Sequence, residues 1–119
     1  MEQTLVIGAT TKEDRYANRA IRALRSHKYP VVAFGLRAGT VLDVEIETEW
    51  NPEWNIDTVT LYLGPQNQES YIDKIIALNP KRVIFNPGTE NAVFIEKLRA
   101  AKIYPEIGCT LVMLSIGTY

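Results

Sequence analysis

Cysteine, histidine and net charge are all scarce in this sequence. Its 119 residues include one cysteine, Cys109, which excludes an intrachain disulfide and a thiolate zinc site built from one chain. The one histidine, His27, stands beside Lys28 at the end of a helical pattern, where the helix dipole tolerates a cation. No Ser/His/Asp or Cys/His arrangement can be assembled around it. Thirteen basic residues against fourteen acidic ones leave a formal charge of −1, so no global field draws the chain to nucleic acid or an anionic membrane. No apolar stretch approaches the roughly 20 residues of a membrane helix. The start, Met1 to Ile7, lacks the basic region and long apolar run of a signal peptide. With 46% hydrophobic and 23% charged residues, the expectation is a reduced, cytoplasmic, globular protein, one domain over residues 1–119.

What is present is a regular alternation. Thr4-Leu5-Val6-Ile7 is a short apolar run ending in Gly8, the pattern of a strand buried on both faces. Ala17, Ala20, Ile21 and Leu24 recur at helical spacing, with Arg15, Arg19, Arg22 and Ser26 opposite, and Pro30 bounds that helix. Val31 to Gly35 reads as a second strand. Val41 to Glu47 alternates apolar and acidic residues, which predicts short, half-exposed extended structure. The carboxylates Asp43, Glu45, Glu47 and Glu49 read as its solvated face rather than a metal site. Thr58 to Leu63 is a strand closed by Gly64-Pro65. A helix carrying Ile72, Ile75 and Ile76 follows and stops at Pro80. Arg82 to Asn86 is another strand, and Thr89 is a plausible cap for a helix carrying Ala92, Ile95 and Leu98. Ile103 to Ile107 is the last strand. Trp50 and Trp54 read as cover for an edge of the core, or as an interface.

Strands and helices in alternation imply right-handed crossovers and a parallel sheet with helices on both faces. Ligands of such sheets lie beyond the carboxyl ends of the strands, where strand order switches. The loops that matter therefore begin at Gly8, Gly35, Leu63, Asn86 and Gly108. The first, Gly8-Ala9-Thr10-Thr11-Lys12-Glu13-Asp14, opens a helix, so free N–H groups and the dipole favour an anion there. It has only one glycine of the G-x-G-x-x-G fingerprint and lacks the G-K-[ST] ending of a Walker A loop. In the second, Phe34-Gly35-Leu36-Arg37-Ala38-Gly39, the charge at the strand end is positive. A carboxylate there would hold a ribose diol, whereas Arg37 suits a ribose phosphate. The flanking glycines would let backbone approach a ligand. Asn86-Pro87-Gly88-Thr89 reads either as punctuation between strand and helix or as a flat Pro-Gly platform for an adenine or a pantetheine amide.

Five of these segments in order carry a resemblance. Gly8-Ala9-Thr10, Tyr16-Ala17-Asn18-Arg19-Ala20, Gly35-Leu36-Arg37-Ala38-Gly39, Asn86-Pro87-Gly88-Thr89-Glu90 and Gly108-Cys109-Thr110-Leu111-Val112-Met113-Leu114 resemble the small, stand-alone CoA-binding domain proteins. These in turn are similar to the CoA-binding domain of the succinyl-CoA synthetase α subunit. The resemblance implies a Rossmann-like, three-layer α/β/α fold with a mainly parallel sheet of five strands or slightly more. It implies CoA or an acyl-CoA lying across the strands' carboxyl ends. Gly8, Ala9, Thr10 and Thr11 would then hold the pyrophosphate, helped by the helix of Tyr16 and Asn18. Gly35, Leu36 and Arg37 would meet the ribose phosphate end, Asn86, Pro87 and Gly88 would line the adenine or pantetheine path, and Cys109 would border it. Family members often have Ser and Pro after the first Gly-Ala, and Asn-Pro where this chain has Gly35-Leu36. The phosphohistidine chemistry of the synthetase belongs to another domain, so the expectation is binding without catalysis. An NADP(H)-linked oxidoreductase or redox sensor, and a nucleotide-regulated interaction module that forms a homodimer or meets another protein, are the alternatives.

Overall fold

A computed structural model describes residues 2–119. Seven strands form one sheet: β1 (Thr4–Ile7), β2 (Val31–Phe34), β3 (Gly39–Val41), β4 (Val44–Glu47), β5 (Thr58–Leu61), β6 (Arg82–Phe85) and β7 (Tyr104–Ile107). Their spatial order is β3-β4-β2-β1-β5-β6-β7. All neighbours pair in parallel except β3, which returns antiparallel beside β4. The fold is thus the expected Rossmann-like α/β/α sandwich, at the larger end of the expected strand number. The added strands come from the alternating acidic stretch: β3 and β4 are a hairpin turning at Leu42-Asp43. Val44 and Ile46 are buried while Glu45 and Glu47 face water.

Helices α1 (Tyr16–Ser26) and α4 (Thr110–Ile116) pack with one core, around Val6, Ala33 and Ile46. Helices α2 (Ile72–Leu78) and α3 (Ala92–Ala100) cover the other, around Leu5, Val59 and Phe85. The strands β1 and β5 are buried at every position, as continuous apolar runs require when both faces are covered. Ile21 and Leu24 of α1 are fully enclosed, and each contributes about 1.5–3 kcal/mol by leaving water. Arg25, near the end of α1, meets the hairpin turn through a fork to Asp43 at 2.7 and 2.9 Å.

Two local expectations shift. In α3 the buried residues are Phe94 and the expected Leu98, Ile95 packs partly buried against the same core, and Ala92 is exposed. Its cap is Asn91, whose Oδ1 accepts from Phe94 N–H at 3.2 Å. Thr89 stands two residues before that cap position, and its hydroxyl donates to the Asn86 carbonyl at 2.7 Å. Between β4 and β5 no helix crosses the sheet. Trp50 and Trp54 lie there instead, edge-on to Phe34 at 5.3 and 6.1 Å, with Tyr71 on the same ring. They cover an edge of the core, as one of the two expectations had it.

Candidate functional site

The chain runs from β1 outward through β2 to the hairpin, then returns to β5 and proceeds outward the other way. The loops leaving β1 and β5 therefore diverge and open a crevice between them. A cleft of about 630 Å³ occupies this place, in the range of small-molecule sites. Four loops line it: Gly8 to Lys12 after β1, Gly35 to Arg37 after β2, Tyr62 to Gly64 after β5, and Pro87 to Thr89 after β6. Arg15, Tyr16 and Ala17 at the mouth of α1, with Phe34 and Tyr71, complete the wall.

Glycine is required where these loops meet. Gly8 has φ +93°, and a Cβ there would lie 2.8 Å from the Tyr62 carbonyl oxygen. A Cβ on Gly35 would collide with the Ala9 carbonyl oxygen, and one on Gly39 with the Thr11 methyl. The two glycines flanking Arg37 thus allow the loops to approach each other, and Gly35 also lines the cleft.

Charge is distributed unevenly along the cleft. Lys12, Arg15 and Arg37 line it, and no carboxylate does. None of the three takes part in an ion pair among the described residues. All sit on the β1 and β2 side, while the walls over β5 and β6 carry no charged side chain. Helix α1 opens on Arg15 with no side-chain cap and no acidic residue in its first turn. Its first N–H groups are therefore left for water or a ligand.

Donors in the first loop divide into two kinds. Gly8 N–H and Ala9 N–H both donate to the Phe34 carbonyl at 3.0 Å, so they tie β1 to β2 and are not available to a phosphate. The N–H groups of Thr10 and Thr11 have no backbone partner among the described residues, and both threonines line the cleft. Lys12 N–H folds back to Thr10 Oγ1 at 3.2 Å.

Of the expected site residues, Gly8, Ala9, Thr10, Thr11, Tyr16, Gly35, Leu36, Arg37, Pro87 and Gly88 come together at the cleft. Asn18, Asn86 and Cys109 do not. Asn18 is fully buried; its Nδ2 donates to the Thr10 carbonyl at 2.9 Å and its Oδ1 accepts from Arg22 Nε at 2.8 Å. It fixes the first loop from behind. Asn86 is 2% exposed, donating to Thr60 Oγ1 at 2.7 Å and the Leu61 carbonyl at 2.8 Å and accepting from Thr110 N–H at 2.9 Å. Both amide hydrogens and the oxygen of that carboxamide are engaged by the protein. Cys109 is the residue before α4 and does not line the cleft, although its neighbour Thr110 bonds to Thr60 of β5 at 2.8 Å, beneath the cleft residue Tyr62.

Sequence reasoning missed Lys12, Arg15, Tyr62 and Tyr71 as cleft residues. The cations were legible as charges in a loop that opens a helix, and Tyr62 as the residue after a strand. Tyr71 gave no signal, because a turn of chain far from any strand end brings it over. The Tyr62 hydroxyl is buried without a hydrogen-bond partner, and burial pushes its pKa up to about 12.

This architecture places the protein among the Rossmann-like, three-layer α/β/α proteins. The model of the CoA binding domain family matches residues 2–115, and the chain belongs to that family. No curated protein matches it. Among solved structures the chain is similar to an uncharacterized protein at 50% identity and TM-score 0.96, covering 100% of this chain and 98% of that one. It is similar in fold to a Thermus thermophilus protein at 19% identity and TM-score 0.88, covering 99% and 90% of the two chains. The fold also recurs in a dinucleotide-forming acetyl-coenzyme A synthetase from Ca. Korarchaeum cryptofilum, at 14% identity and TM-score 0.71. There the match covers 92% of this chain and 26% of that one.

Proposed function

We propose that the cleft binds coenzyme A or an acyl-CoA, and that the protein holds this ligand without transforming it. Family membership supports the ligand class. The observation that carries the orientation is the polarity of the cleft, with Lys12, Arg15 and Arg37 at one end and uncharged walls at the other. CoA has the same polarity: a nucleotide end dense in phosphate and a long neutral pantetheine arm. The phosphates meet Lys12, Arg15, the free N–H groups of Thr10 and Thr11 and the mouth of α1. Arg37 takes the ribose phosphate. The arm runs between Tyr62 to Gly64 and Pro87 to Thr89.

Binding is favoured over catalysis by the chemistry of the lining. It contains no histidine, cysteine or carboxylate among the described residues, the usual groups for proton transfer near neutral pH. Tyr62, with its raised pKa, is a weaker proton donor than an ordinary tyrosine.

Calorimetry with CoA, dephospho-CoA and NADPH tests the assignment. Arg37→Ala is expected to weaken CoA by about 1.5–3 kcal/mol, the range for a hydrogen bond to a charged group, and to leave dephospho-CoA unchanged. Equal losses for both would remove Arg37 from the ribose phosphate. NADPH binding more tightly than CoA would reverse the choice of ligand.

A further inference from the structure

Two single-turn 3-10 helices, Pro65–Asn67 and Glu69–Tyr71, separate β5 from α2. Gln68 lies between them and is 1% exposed, although its neighbours Asn67 and Glu69 face solvent. A buried carboxamide persists only when its polar atoms are matched, and those of Gln68 are. Its Nε2 donates to the Leu63 carbonyl and to the Thr89 carbonyl, both at 2.8 Å. Its Oε1 accepts from Asn91 Nδ2 at 3.0 Å.

Leu63 and Thr89 both line the cleft, one on the loop leaving β5 and the other on the loop leaving β6. The ladder between these strands ends at the pair Leu61 and Phe85. Beyond that pair the loops present carbonyl oxygens, which cannot bond to each other. An amide nitrogen with two hydrogens bridges two such acceptors while remaining neutral, so this half of the cleft stays uncharged.

The geometry points to Gln68 as a positioning residue that sets the spacing of the uncharged half of the cleft, with Asn91 fixing the orientation of its carboxamide. The role rests on the CoA reading above: Gln68 touches no ligand and acts through Leu63 and Thr89 on the pantetheine arm. The cations at the other end belong to loops that Gln68 does not reach. Its loss therefore weakens the grip on the arm and spares the nucleotide.

The test compares wild type, Gln68→Glu and Asn91→Asp as full chains. Each is titrated by calorimetry with CoA and with adenosine 3′,5′-bisphosphate, which keeps the ribose phosphate and lacks the arm. Unfolding without ligand is measured in parallel. Gln68→Glu sets a carboxylate against two carbonyls and risks misfolding. Asn91→Asp retains the oxygen that caps Phe94 N–H and replaces the donor to Gln68 Oε1 by a second acceptor oxygen, and aspartate is a good cap. Asn91→Asp is expected to unfold somewhat earlier than wild type while remaining folded at the titration temperature, to bind the bisphosphate equally well, and to bind CoA about tenfold more weakly, the equivalent of roughly one buried hydrogen bond. Unchanged CoA affinity in Asn91→Asp would overturn the role, as would an equal loss for both ligands. Wild type binding neither ligand would overturn the CoA reading itself.

Discussion

Replacing Asn86 by alanine separates two readings of the loop after β6. By position at a strand's carboxyl end it belongs to the ligand; by its bonds it belongs to the scaffold. Asn86→Ala removes the partner of the Leu61 carbonyl and of Thr110 N–H. Thr60 Oγ1 keeps its contact with Thr110 Oγ1 at 2.8 Å and loses less. Each buried group left unpaired costs about 1–3 kcal/mol, so two of them cost about 2–6 kcal/mol. A domain of this size has only about 5–15 kcal/mol of stability in total. A loss in the middle of the range would lower the melting temperature by about 10–20 °C. Urea unfolding without ligand reads the effect directly, with the midpoint falling and the slope unchanged if only stability is altered. If the ligand-free variant is as stable as wild type within about 0.5 kcal/mol and yet no longer binds CoA, Asn86 contacts the ligand and the scaffold reading fails.

Three further outcomes follow from the same geometry. Gly35→Ala drives a methyl into the Ala9 carbonyl and is expected to cost about 1–3 kcal/mol, measured by thermal unfolding; a neutral result would mean the β1 and β2 loops are not in contact. Tyr62 has its pKa raised from 10.0 to about 12, so its stabilising effect is complete below pH 10 and is lost as pH rises toward 12. Tyr62→Phe is expected to flatten that alkaline decline, as followed by unfolding across the interval, and an unchanged decline would assign it to other groups such as Tyr119, whose pKa burial also raises. Replacing Lys12 and Arg15 together by glutamine is expected to weaken CoA most at low salt, because exposed charges are screened beyond about 10 Å at 0.1 M ionic strength; a salt-independent loss would indicate that the side chains act by contact alone.

The strands were legible because a sheet covered on both sides needs uninterrupted apolar runs, and Val6, Ala33, Val59 and Ile84 sit in such runs. The crevice was legible because topology alone places it. Direction of side chains at the strand ends was not. Asn86 and Arg37 both follow a buried strand, yet Asn86 turns back onto Thr60 and Thr110 while Arg37 faces the cleft. That difference depends on which acceptors a neighbouring strand presents, and no pattern along one segment encodes it. Arg15 was misplaced for a related reason. Helical periodicity groups it with Arg19 and Arg22 on the solvent face, but Arg15 is the residue before the first turn, where the face of the helix is not yet defined. Gln68 lies in 3-10 turns with no apolar rhythm, so nothing marked it as buried.

Three buried carboxamides hold the walls of the cleft: Asn18 the first loop, Gln68 the pair over β5 and β6, and Asn86 the base of the β6 loop against α4. All three are uncharged, and the cations are left exposed at one end. The arrangement has an electrostatic consequence. A buried ionic anchor beside the cleft would impose its own sign on the site, and a buried charge is costly unless paired. Carboxamides fix loops equally well through both donors and acceptors and add no net field. The charged side chains that line the cleft are then Lys12, Arg15 and Arg37, beside the mouth of α1. A chain with a formal charge of −1 thereby presents a positive site, because its scaffold was kept neutral where its ligand is not.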